Sequence, residues 1–164
     1  MIALFNIYVK PILPIVVLVL FVYMFRIANN NRIRKVHTRL LLENPGLAST
    51  SLFSVNYSSV PLQRLNFLSP KDTGILTLNQ NKLGFLGYQS PDTPIKLYFK
   101  LDELEARWVG KTSAFSSDYW FLFKSGNESH YFSAETGAFS LTNEQQTREL
   151  FETIKNRVEQ IMNI

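Results

Sequence analysis

The apolar positions follow three regimes along the chain. Pro11 to Phe25 reads PILPIVVLVLFVYMF, an uncharged run that is apolar on every face. Between residues 51 and 134, apolar and polar residues alternate in short bursts cut by Ser, Asn, Gly and Pro. From Asn143 onward, Leu150, Ile154, Val158 and Ile161 recur at helical spacing, with Phe151 alongside. The regimes predict a membrane-type helix, a set of strands and an amphipathic helix.

Fifteen residues of helix span roughly 22 Å at ~1.5 Å each, short of the ~30 Å hydrocarbon layer. A spanning helix must therefore reach back through Ile7, Tyr8 and Val9, with Lys10 snorkelling to the headgroups. Pro11 and Pro14 are expected in its first turns, where a missing amide donor costs least. Tyr8 and Tyr23 fall near the two interfaces. The reading is a transmembrane anchor over 1–25. A cleaved signal peptide is the rival, with Lys10 as its charged start. The arginines that follow at once and the lack of a clear A-x-A site weigh against it.

Residues 26–48 form a basic juxtamembrane segment. Ile33, Val36 and Leu40 make a helical stripe, and Asn44-Pro45-Gly46 ends it. Arg26, Arg32, Arg34, Lys35 and Arg39 are the candidate membrane-surface, lipid-contacting residues. The segment is either a helix on anionic headgroups or a stalk continuing the anchor. The same cations, by the positive-inside rule, place the N-terminus outside and the remaining domain in the cytoplasm.

Residues 49–164 are expected to form an α+β domain, mainly β. Ser51–Tyr57 reads as a strand or a linker. Ile75–Leu78 and Leu83–Tyr88 form a hairpin around Asn79-Gln80-Asn81, with Gly84 and Gly87 marking a bulge or bend. Ile95 to Leu101 alternates most cleanly. Leu104–Val109 follows, then Tyr119–Lys124, the most apolar strand and the expected centre of the sheet. Ser125-Gly126-Asn127 turns into Ser129–Ala134, and a short strand is expected at 138–141. A C-terminal helix over 143–162 closes the chain, with Thr142-x-x-Gln145 as a capping box.

Composition narrows the function classes. The chain has no Cys, which removes disulfides, thiolate metal sites and cysteine nucleophiles. The net charge of +4 is unevenly placed: residues 1–43 hold six bases and one acid, and residues 44–164 hold 11 bases and 12 acids. A nucleic-acid reader carries its positive charge on the folded domain, so nucleic acid is not an expected partner.

Several stretches carry a family resemblance. They are Gly74-Ile-Leu-Thr-Leu-Asn, Leu83-Gly-Phe85, Ile95–Leu101 running into Asp102-Glu103-Leu104, Tyr119–Phe123, Tyr131-Phe132 and the last helix. Over residues 74–161 the chain resembles pleckstrin-homology-like (PH-like) domains, with GRAM-type and bacterial PH-like domains as nearest kin. The resemblance implies a bent antiparallel sheet or barrel of about seven strands, capped by the C-terminal amphipathic helix. It also implies binding of a protein or a lipid headgroup. Phosphoinositide-binding members carry a basic cluster on the first hairpin, where this chain offers only Lys71 and Lys82.

Lys96, Tyr98, Lys100, Arg107, Trp120 and Lys124 are the candidate partner- or anion-binding face, with Trp108 and Phe115 as further interface aromatics. His37 and His130 lack a second imidazole at ligand spacing, so no metal or other cofactor is expected. Ser125, His130 and Asp118 lack a nucleophile-elbow pattern, and no enzyme activity is expected. Asp102, Glu103 and Glu105 read as a solvated strand connection. The expected function is a single-pass membrane-anchored accessory or adaptor protein that binds a protein partner near the bilayer. An anionic lipid-headgroup module is the alternative.

Overall fold

The structure, a computed structural model, describes residues 2–49, 51–60, 72–79, 81–89, 93–111, 118–136 and 142–163. Helix α1 runs from Ile2 to Glu43. Seven strands follow: β1 (Ser51–Ser58), β2 (Asp72–Leu78), β3 (Lys82–Gln89), β4 (Thr93–Lys100), β5 (Glu105–Lys111), β6 (Tyr119–Ser125) and β7 (Glu128–Ala134). Helix α2 spans Asn143–Met162. The expected strand at 138–141 lies outside the described residues, as do Lys71 and Phe115.

The strands form one antiparallel sheet in the order β4-β3-β2-β1-β7-β6-β5. β4 and β7 are four places apart in that order. A flat sheet with ~4.8 Å between strands would separate them by roughly 19 Å. Yet the Phe99 ring on β4 lies 4.8 Å from the His130 ring on β7 and 6.4 Å from Phe123 on β6. The sheet is therefore curled around a core of Val55, Leu76, Phe85, Phe99, Phe121, Phe123 and Phe132. Leu150, Phe151, Ile154 and Val158 of α2 complete that core. This is the bent-sheet-and-helix architecture of the PH-like fold.

Four expectations need correction. The most apolar strand, β6, is not central; β1 occupies the middle of the order. Gly84 and Gly87 do not mark a bulge, because β3 pairs with β2 and β4 without a break in register. The shift lies between Trp108 and Gly110 in β5, where Gly110 has φ of +85°. Within the curled sheet Gly84 and Gly87 serve close approach. A Cβ on Gly87 would stand 2.6 Å from Phe85 Cζ, and one on Gly84 would stand 2.6 Å from Thr77 Oγ1. Pro11 and Pro14 are interior to α1, because the helix already begins at Ile2. The capping box is not made: Thr142 forms no side-chain cap bond.

The start of α2 is pinned by Asn143 instead. Its Oδ1 accepts from the Tyr119 backbone N–H at 2.7 Å, and its Nδ2 donates to the Ala134 carbonyl at 2.7 Å. Thr147 Oγ1 accepts from the Ala134 N–H at 3.0 Å. Both side chains are buried, and their bonds tie the helix to β6 and β7.

Candidate functional site

The outer face of β1–β3 is covered by the C-terminal half of α1. Leu40 and Val36 pack on Ile75, Leu86 and Tyr88, with Leu47 beside them. These strand residues alternate with the ones that face the core, so β2 and β3 are buried on both faces. α1 ends at Glu43, where the Asn44 N–H and side-chain amide both donate to the Leu40 carbonyl at 3.0 Å.

Polar links frame this contact. Arg32 Nη2 donates to Thr73 Oγ1 at 3.2 Å, and that hydroxyl donates to Asn56 Oδ1 at 3.3 Å. His37 Nε2 lies 3.0 Å from Ser54 Oγ. Tyr88 OH donates to Glu43 Oε2 at 2.6 Å, and Arg39 Nε donates to Glu43 Oε1 at 2.9 Å. The Arg39 guanidinium sits 4.6 Å over the Tyr88 ring. The Tyr88 hydroxyl, then Arg39, hold the Glu43 carboxyl below its usual range. Burial pushes the His37 imidazole down, partly offset by a hydrogen bond to the Gly74 backbone.

Of the five basic residues expected at the membrane surface, Arg32 and Arg39 are thus engaged with the sheet. Arg26, Arg34 and Lys35 are exposed and make no ion pair among the described residues. Sequence reasoning missed His37, Ser54, Thr73 and Tyr88. His37 had a signal, since it follows Ile33 by four residues on the apolar stripe.

The second candidate set divides in two. Lys96, Tyr98 and Lys100 project from the outer face of β4, where Tyr98 is 68% exposed. Arg107 and Lys124 project from β5 and β6, at the other end of the strand order. Each group has acids at hand. Lys100 Nζ donates to Glu103 at 2.6 Å, Lys96 lies near enough to Glu43 to act on its charge, and Lys124 sits opposite Glu105. Trp120 is only 1% exposed, so it is not a contact residue on this face. Trp108 packs between Phe151, Tyr119 and the Arg148 guanidinium 4.6 Å away.

His130 lies on the core side of β7. Its Nδ1 is 3.1 Å from Tyr57 OH and its Nε2 is 3.5 Å from Glu128. Burial pushes its imidazole down. Both nitrogens have partners, and Ser125 is neither of them. Among the described residues, no cluster of three His, Asp or Glu is placed to hold a metal.

Among the described residues one helix, α1, is long and apolar enough to cross a membrane. No protein-family model matches the chain. No curated protein matches it either. Among solved structures it is similar to the C-terminal domain of an unknown protein from Leishmania infantum. That likeness has 14% identity and a TM-score of 0.42, over 71% of this chain and 95% of that one. It is also similar to the pleckstrin homology domain of ArhGAP27, at 11% identity and a TM-score of 0.40, over 67% of this chain and 97% of that one. At this distance neither says what the chain binds, and the GRAM-type or bacterial PH-like kinship has no family match behind it.

Proposed function

We propose that the chain is a single-pass membrane protein that binds a protein partner through its PH-like domain, as an accessory or assembly subunit. In this reading the N-terminus lies outside and the domain faces the cytoplasm. One observation carries it: α1 continues unbroken from the apolar segment into its seat on the sheet. Arg32, which bonds to Thr73 on the sheet, follows Phe25 by roughly 10 Å of helix. Such a connection holds the domain beside the bilayer at a set orientation, which raises its effective concentration for membrane-bound partners. The outer face of β4 around Tyr98 is a proposed contact surface. The acids beside Lys96 and Lys100 favour a protein there over a polyanionic headgroup.

Arg26, Arg34 and Lys35 support the lipid alternative. Arg34 lies roughly 12 Å past Arg26 on the helix, so on an upright helix only Arg26 reaches the headgroups. At a Debye length of about 8 Å, Arg34 and Lys35 feel a weakened field.

Purification of the intact protein in mild detergent tests the proposal. A companion at constant ratio, retained in high salt and in the Arg34→Gln/Lys35→Gln variant, is the expected result. Absence of a companion, with salt-sensitive binding to phosphatidylserine vesicles, would replace it with the lipid reading. Protease digestion of sealed vesicles checks the orientation.

A further inference from the structure

Strand β1 is paired unevenly. On one side β2 accompanies it from Ser51 to Tyr57. On the other, β7 pairs with it only from Val55 to Ser58. The last rung there is the Glu135 N–H donating to the Ser54 carbonyl at 2.9 Å. Backbone groups of alternate residues point to the same edge of a strand, so the N–H and C=O of Leu52 point the same way as the Ser54 carbonyl. Among the described residues no strand meets Leu52 on that edge.

The edge opens instead onto a groove of 460 Å³ between β1 and α2. Phe53 and Leu150 provide an apolar floor at the margin of the core, and Leu52 is 37% exposed at the rim. Among the described residues, the charged side chains that line the groove are the acids Glu135 and Glu149. Glu149 accepts from the Gln145 amide at 2.8 Å and has no cationic partner among the described residues. The length from Ser51 to Ser54 suits three or four residues of extended chain at ~3.3 Å each.

We propose that this groove receives an extended basic segment of the partner protein. The segment adds as a short strand beside Leu52, seats an apolar side chain on Phe53 and Leu150, and brings a Lys or Arg to Glu149. Main-chain bonds to the β1 edge supply affinity, and the apolar floor and the carboxylate supply choice. The inference rests on the reading of the domain as a protein-binding module and names where and how it binds.

The test uses the full chain in nanodiscs and capped pentapeptides that alternate valine with lysine, or valine with glutamate. The lysine series is expected to bind saturably and to slow exchange of the Leu52 amide at least tenfold at saturation. Glu149→Lys, an exposed helix position, should weaken that binding tenfold or more with an unchanged melting temperature. Glu152→Lys, outside the groove, should leave it within twofold. No saturable binding at millimolar peptide would overturn the proposal. So would binding that leaves the Leu52 amide untouched, or equal losses in the two variants. Because the probe is synthetic, these failures would leave a co-purifying companion standing. Conversely, loss of the companion would leave the titration readable.

Discussion

Two helices cover two faces of the same curled sheet, and they do it with different chemistry. α2 seats Leu150, Phe151, Ile154 and Val158 in the core, and its buried Asn143 and Thr147 satisfy backbone groups of β6 and β7. α1 brings two apolar side chains, Val36 and Leu40, onto the outer face and surrounds them with links through Arg32, His37, Arg39 and Glu43. Apolar burial is insensitive to charge state, whereas ion pairs and imidazole contacts are not. The contrast makes α2 part of the folding unit. It makes the α1 seat a contact that can weaken while the sheet stays folded.

The largest expected effect is in the core. Ile154→Ala should destabilise the domain by about 2–5 kcal/mol, because it deletes side-chain volume from a fully buried site. Thermal unfolding should show one cooperative transition at a lower temperature. A sheet that stays folded after α2 detaches would break the contrast. Next comes Asn143→Ala, which strips partners from the Tyr119 N–H and the Ala134 carbonyl. A loss of about 1–3 kcal/mol is expected, again in a single transition.

Leu40→Ala should act on the seat instead. About 2 kcal/mol is expected there, the low end for a buried leucine whose cavity borders an interface. Spin-label distances between α1 and β3 should broaden while the melting of the sheet stays nearly unchanged. Joint loss of both would show that the seat and the sheet are one unit.

The smallest effect is with pH. Burial lowers the His37 pKa from 6.5, so the seated form holds the neutral ring. The released helix then binds the proton more readily than the seated one. The seat is at full strength above pH 6.5 and weakens as pH falls through that value toward the lowered one. Between pH 8 and about 5.5, the same distances should broaden in the parent and less so in His37→Gln. His130 shifts in the same direction within the core, so the sheet's melting temperature should also drop slightly with acid in both proteins. An equal response of the distances in parent and variant would remove His37 from the account.

Much of the fold was legible because alternation shows which side of a strand seeks cover. Ile95, Leu97 and Phe99 read inward and Lys96, Tyr98 and Lys100 outward, as they stand in β4. The place of a strand in the sheet was not legible. Tyr119–Phe123 is apolar on both faces, yet β6 is next to last in the order, because double-sided burial reports covering and not rank. Thr142 offered a cap by local spacing, but the neighbouring Asn143 found better-placed partners on two strands. Of the residues read onto the candidate face, Tyr98 is exposed and Trp120 is buried.

Local pattern was enough to establish an apolar helix, a run of short strands and a closing amphipathic helix, since each periodicity is written within a few neighbouring residues. It was also enough to separate the basic N-terminal quarter from a near-neutral remainder. Which faces meet was settled by contacts between distant parts of the chain. His37 reaches Ser54 across 17 positions, and Glu43 reaches Tyr88 across 45. Such pairs leave no local periodicity. They exist because a sheet curled around its own core still has an outer apolar patch, and the helix that leads into the sheet lies within reach to cover it.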